Sequence, residues 1–243
     1  MLTSVRGLLA ATVLTGAALT ATPAMAQDDL GISISGNAAI VTDYRFRGVG
    51  LSDGDPAIQG GIDVGTDVGF YVGTWASSLG YTPEYGEIEL DIYAGWSGDI
   101  TDGVGFDIGA LYYLYPSNDI DPADYFEFYA SVSPAIGPVE TTLGIAYAPD
   151  QDSLGSTDNL YLYLDAGVGI PDTPISISGH VGYTDGFLTF TTDGNAIDWS
   201  IGADVAIGDI LSVGVAYVGV EDDGVNTDGI TDDTVVGTLS VSF

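Results

Sequence analysis

Thirty-five carboxylates set against three arginines, no lysine and one histidine define the chemistry open to this 243-residue chain. Many of the acids recur at every second residue, as Glu87, Glu89 and Asp91 do. In extended backbone that spacing puts them on one face. Like charges so crowded are tolerable only where water and counter-ions reach them. Inside a confined passage they would concentrate cations and repel anions. The residues of this kind are Asp43, Asp63, Glu87, Glu89, Asp91, Asp107, Glu127, Glu140, Asp165, Asp198 and Asp204, read here as the lining of a narrow wet bore.

Arg45 and Arg47 share the parity of Asp43. Two readings are open. They form a constriction, with positive charge set across from carboxylates, or a clamp in which the guanidiniums tie carboxylates of neighbouring strands together. Replacing both with Gln separates the two. His180 falls on a polar parity and reads as a hydrogen-bonding lumen residue rather than a catalytic base, since no Gly-x-Ser-x-Gly elbow accompanies it. Asn226-Thr227-Asp228-Gly229 and Asp150-x-Asp152 are fragments of calcium-loop patterns without the full ligand set, so divalent cations are expected at most weakly, at the loops.

Composition narrows the field further. The net charge of −32 leaves no basic face for nucleic acid. A hydrophobic share of 46% with 15 Tyr is too apolar and aromatic for a disordered acidic tail. Zero Cys excludes disulfides, Cys-ligated metal and thiol catalysis. No cofactor motif is present, and the chain does not read as an enzyme.

The elements that position the acids are strands. Ile32, Ile34, Gly36, Ala38 and Ile40 alternate with Ser33, Ser35, Asn37, Ala39 and Val41, and the same parity runs on to Arg47. Marking every such run gives about twelve strands near 32–47, 57–65, 69–79, 87–98, 103–115, 124–134, 138–148, 159–170, 174–184, 196–206, 209–219 and 233–243. Most have the length of a tilted strand crossing a bilayer. Their connections alternate. Short turns such as Thr66-Asp67-Val68 and Ile207-Gly208 follow even strands, and longer acidic loops such as Asp185 to Asn195 and Val220 to Asp232 follow odd ones. Short periplasmic turns opposite long external loops are the habit of outer-membrane barrels. Aromatics such as Trp96, Tyr112, Tyr147, Tyr183 and Trp199 lie on the apolar parity, as girdles facing lipid would.

Residues 1–26 read as a cleaved secretory leader, with Arg6 in the n-region, an apolar run from Gly7 to Leu19 and Ala24-Met25-Ala26 as the cleavage site. Residues 27–243 then form one domain, an all-β transmembrane antiparallel up-and-down barrel exported through the periplasm to the bacterial outer membrane. Its partners would be lipid and small hydrophilic or cationic solutes.

Val41-Thr42-Asp43-Tyr44-Arg45-Phe46-Arg47-Gly48 resembles the opening signature of the TorF-type porins of bacterial outer membranes. Asp55 to Gly61, Gly69 to Ser77 and Glu87 to Gly95 extend the resemblance over roughly the first third of the exported chain, while Gly50-Leu51 departs from the Ser-Gln expected there. The resemblance implies an outer-membrane barrel with a pore role, and no catalytic residues. A porin-like channel for passive diffusion with cation preference is therefore the leading expectation. A plugged structural or surface-interaction barrel is the alternative, and an outer-membrane hydrolase using His180 the weaker one.

Overall fold

The computed structural model describes residues 31–224 and 229–243. The leader and Asn226-Thr227-Asp228 lie outside the described residues. Along the chain run β1 (Ile32–Val41), β2 (Arg45–Phe46), β3 (Val49–Gly50), β4 (Ala57–Thr66), β5 (Phe70–Thr82), β6 (Gly86–Thr101), β7 (Val104–Leu114), β8 (Tyr125–Ile136), β9 (Val139–Gln151), β10 (Thr157–Gly169), β11 (Ile175–Gly186), β12 (Asn195–Ile207), β13 (Leu211–Val220) and β14 (Thr234–Ser242).

Among the described residues, β1 and β4 to β14 close into a twelve-stranded barrel in which neighbours in sequence are antiparallel neighbours in space. Closure comes from β1 against β14, with Asn37 opposite Ser242 and Val41 opposite Thr238. The terminal Phe243 completes the seam: its N–H donates to the Gly36 carbonyl at 3.0 Å and its own carbonyl accepts from Gly36 N–H at 2.7 Å. A closed sheet leaves no unpaired edge, as a strand-built membrane span requires.

The two faces sort as the alternation predicts. Ile34, Ile62, Ile108, Phe128, Ile201 and Val235 all stand exposed on the outside. An apolar belt circling the molecule far exceeds the patch a soluble monomer shows to water, but it suits lipid. Trp96, Tyr112, Tyr147 and Tyr183 also face outward. Trp96 packs against Phe70 and Phe106 near the short-turn end of the barrel.

Eleven of the expected strands agree with the structure to within three residues at each end. The first does not. β1 stops at Val41, Thr42 still bonds Gly237 of β14, and residues 43–52 leave the wall and fold into the lumen, where β2 and β3 pair as a two-residue-loop hairpin. Asp43, Arg45 and Arg47 are therefore not wall residues of a strand spanning 32–47. The turn falls at Arg47 and Gly48, whose φ angles are +49° and +80°. Positive φ at both central positions is the requirement of a type I′ hairpin turn. Alternation persists through it because hairpin arms alternate as wall strands do.

Candidate functional site

The interior divides into three levels. At the long-loop end the bore is filled. The hairpin crosses it, and Asp43, Tyr44, Arg45, Phe46, Arg47, Val49 and Ser52 are all buried. Tyr44 packs against Trp75 of β5 with ring centroids 5.5 Å apart, and its hydroxyl donates to Glu89 Oε1 of β6 at 2.6 Å. Phe46 meets the Tyr113 ring edge-on. The Arg47 guanidinium lies 4.2 Å from the Tyr161 ring centroid of β10, and its Nη2 donates to both Glu127 oxygens of β8 at 2.8 Å. Gly48 sits so close to the backbone of Gly219 in β13 that a Cβ would come within 2.6 Å of its carbonyl oxygen. The tip backbone thus abuts β13, two strands from β1 around the closed sheet, and the Arg47 side chain carries across the bore to β8 and β10.

Arg45 and Arg47 are held differently. Arg45 donates through Nε to Asp43 at 2.5 Å and through Nη1 to the carbonyls of Gly48, Ile230 and Asp232 at 3.1, 2.9 and 3.0 Å. It ties the base of the hairpin to the last long loop. Arg47 is bonded through Nη2, while its buried Nε and Nη1 have no hydrogen-bond partner among the described residues.

The carboxylates at this level are dry, unlike the wet lining expected from sequence. Glu89 accepts from Tyr44 and from Tyr115 Oη at 3.1 Å. Glu127 accepts from Arg47 and from Tyr113 Oη at 3.1 Å. Asp91 is 0% exposed, and neither of its oxygens has a hydrogen-bond partner among the described residues. Phenols and a guanidinium replace the water that the sequence reading assigned to them, because the hairpin and a layer of tyrosines occupy the space.

At mid-height the lumen carries a tyrosine–carboxylate network. Tyr71 donates to Asp107 at 2.6 Å and Tyr93 to Asp63 at 2.6 Å. His180 of β11 has Nδ1 2.6 Å from Asp165 of β10 and Nε2 3.0 Å from Asp198 of β12 and 2.8 Å from the Tyr161 hydroxyl. Ionised carboxylates only accept, so both contacts are met when both ring nitrogens carry hydrogen. His180 ties three strands together. The rings lie flat because inward glycines make room: a Cβ on Gly144 would overlap the Tyr163 ring directly across the pair.

At the short-turn end the inward side chains are small and hydroxylic, among them Ser33, Ser35, Ser133 and Ser212, and they are partly exposed. Asp204 is half-buried here, Asp165 has a 43% exposed side chain, and Glu140 is exposed at the rim. Glu87 is exposed at the opposite rim, above Glu89. The lumen is thus a cup open at the short-turn end and stoppered at the long-loop end. Sequence reasoning placed the acids on the inner face but did not find the stopper or its tyrosines, Tyr44, Tyr113, Tyr115 and Tyr125. The Arg-Gly pair at 47–48 was the one available signal for a turn.

Among the described residues no three His, Cys, Asp or Glu side chains are grouped to hold a metal ion. In the last long loop, Asp222 instead accepts from Gly224 N–H at 2.9 Å and from the Thr231 hydroxyl at 3.0 Å, bonds that hold its carboxyl below the usual range.

With this geometry established, comparison with known proteins adds the family and the fold neighbours. Residues 25–243 match a family described as bacterial protein of unknown function (Gcw_chp). The chain belongs to the Gcw_chp family. No curated protein matches it. This Gcw_chp barrel is similar to the NanC porin, at 10% identity and a TM-score of 0.57, with 86% of this chain and 98% of that chain covered. It is equally similar to a KdgM porin solved in complex with disordered oligogalacturonate, at 8% identity and a TM-score of 0.57, covering 86% and 97%. At these identities the likeness shows a shared fold.

Proposed function

We propose that this Gcw_chp barrel is an outer-membrane channel for passive diffusion of small hydrophilic solutes, with preference for cations and no enzymatic role. The observation that carries the reading is the charge of its interior. Asp63, Asp107, Asp165, Asp198 and Asp204 all point inward, while Arg45 and Arg47 are spent on bonds at the stoppered end. His180 is set between two of the carboxylates. A cup with that lining lowers the energy of a cation and raises that of an anion. Oligogalacturonate, the ligand of the KdgM structure, is a polyanion, and this interior would repel it. Lipid would cover the apolar outer wall, and the acidic long loops would hold divalent cations only diffusely.

In this reading Arg45 holds the hairpin to the last long loop and Arg47 holds its tip to β8, and neither ties one wall strand to another. A second reading, a permanently plugged barrel without transport, draws on the buried hairpin. Swelling of liposomes carrying the purified protein separates the two. Entry of small cationic and neutral solutes ahead of an anion of equal size supports the channel; no entry of any solute supports the plug.

A further inference from the structure

We infer that residues 43–52 are a gate whose latch is the Arg47–Glu127 pair; the inference rests on the channel reading. Three observations carry it. The hairpin is the body that closes the bore: its side chains reach β5, β6, β7, β8 and β10 and its tip abuts β13. It is not part of the wall, since β1 joins β14 and β4 without it. Removing residues 43–52 from the bore breaks no strand-to-strand ladder of the barrel, only the backbone bonds of Gly80 to Leu51 and of Gly50 to Ile230.

The two arginines divide the work unequally. Arg45, with its Nε on Asp43 and its Nη1 among three carbonyls, anchors the base. Arg47, at the tip, has one bonded nitrogen and two buried nitrogens without a partner among the described residues. An under-bonded buried cation gains hydrogen bonds by moving into water. Its backbone is also in the left-handed region, at φ +49°, which is unfavourable for Arg. Asp91 lies buried below with neither oxygen bonded. The closed state therefore leaves a buried guanidinium and a buried carboxyl incompletely satisfied, and the Arg47–Glu127 pair, with the Tyr161 ring contact, holds the tip against both.

Lifting the tip about its Arg45 base uncovers Glu127 and lets water reach Asp91, while Tyr44, before the base, stays on Glu89. That joins the exposed Glu87 at the outer rim to Asp63, Asp107 and Asp165 below as a continuous acidic path. Opening the gate and completing the cation path are the same movement.

The test is single-channel recording in planar bilayers of the wild type, Arg47→Asn, Glu127→Gln and a chain in which residues 43–52 are replaced by Gly-Gly. Asn keeps the turn, because it tolerates positive φ, and removes the latch. The wild type should open rarely and the shortened chain should stay open. Each latch variant should raise open probability more than about tenfold, the factor that about 1.4 kcal/mol of lost closing energy gives. Equal open probability in wild type and latch variants, with conduction by the shortened chain, overturns the latch and leaves the channel standing. A wild type as open as the shortened chain overturns the gate. No conduction by the shortened chain, shown folded by heat-modifiable migration, overturns the channel reading and the gate with it.

Discussion

Replacing Ile201 with Arg tests whether the outer wall faces lipid. Ile201 stands 62% exposed in the middle of β12, opposite Gly179 on β11 and Tyr217 on β13. Ile207, 50% exposed, ends the same strand opposite Leu211 at the short-turn rim. Both side chains point outward and neither carries a hydrogen bond, so the substitutions differ chiefly in depth. At the midplane of a bilayer an outward Arg costs a barrel about 2–4 kcal/mol, and near the interface about 0–1 kcal/mol. Ile201→Arg should therefore lower the folded-to-unfolded ratio roughly 30- to 1,000-fold, while Ile207→Arg stays within about fivefold of wild type. In water the same exposed Ile-to-Arg changes would each stay within about 0.5 kcal/mol of wild type. Equilibrium denaturant titration of the protein folded into vesicles, followed by tryptophan fluorescence, measures the difference. Equal effects at both positions would refute a lipid-facing wall.

Further outcomes follow from the interior. Gly144→Val drives its side chain into the Tyr163 ring, which is itself buried, and should cost about 1–3 kcal/mol in the same titration. His180→Phe leaves the buried Asp198 without its imidazole and should cost about 3–5 kcal/mol, whereas the additional change Asp198→Asn recovers part of that loss. Arg45→Gln with Arg47→Gln should leave the barrel folded but raise its conductance; loss of folding would make the arginines a structural clamp of the barrel itself. The depressed Asp222 carboxyl contributes fully to its bonded state above the ordinary carboxylate range and loses that contribution as pH falls below it, through the group's own lowered value. Protection of the Gly224 amide against exchange, taken relative to its intrinsic rate at each pH, should therefore fall on acidification, and Asp222→Asn should remove that fall.

The barrel was legible in the sequence because one physical rule repeats along it. A strand between lipid and water must alternate, so Ile197, Trp199 and Ile201 set against Ala196, Asp198 and Ser200 already place β12 and its two faces. Loop lengths gave the order of the hairpins. Period two carries no information on whether extended backbone is wall or plug, and for that reason residues 42–47 read as a continuation of β1. The role of Glu89 and Glu127 was hidden for a related cause. Parity places a carboxylate inside, but its partner, Tyr44 or Arg47, comes from another part of the chain. The His180 tie needed the register of β10, β11 and β12, which pairs Asp165 with His180 directly and sets Asp198 diagonally beside it.

The charge of the interior remains the feature on which function turns. The most direct measurement is the reversal potential of the reconstituted protein under a KCl gradient, with the hairpin-shortened chain measured in parallel. A zero-current potential displaced toward the potassium equilibrium value, and reduced when Asp63, Asp107 and Asp204 are changed to Asn, is the result predicted. A potential displaced toward the chloride value would contradict the account.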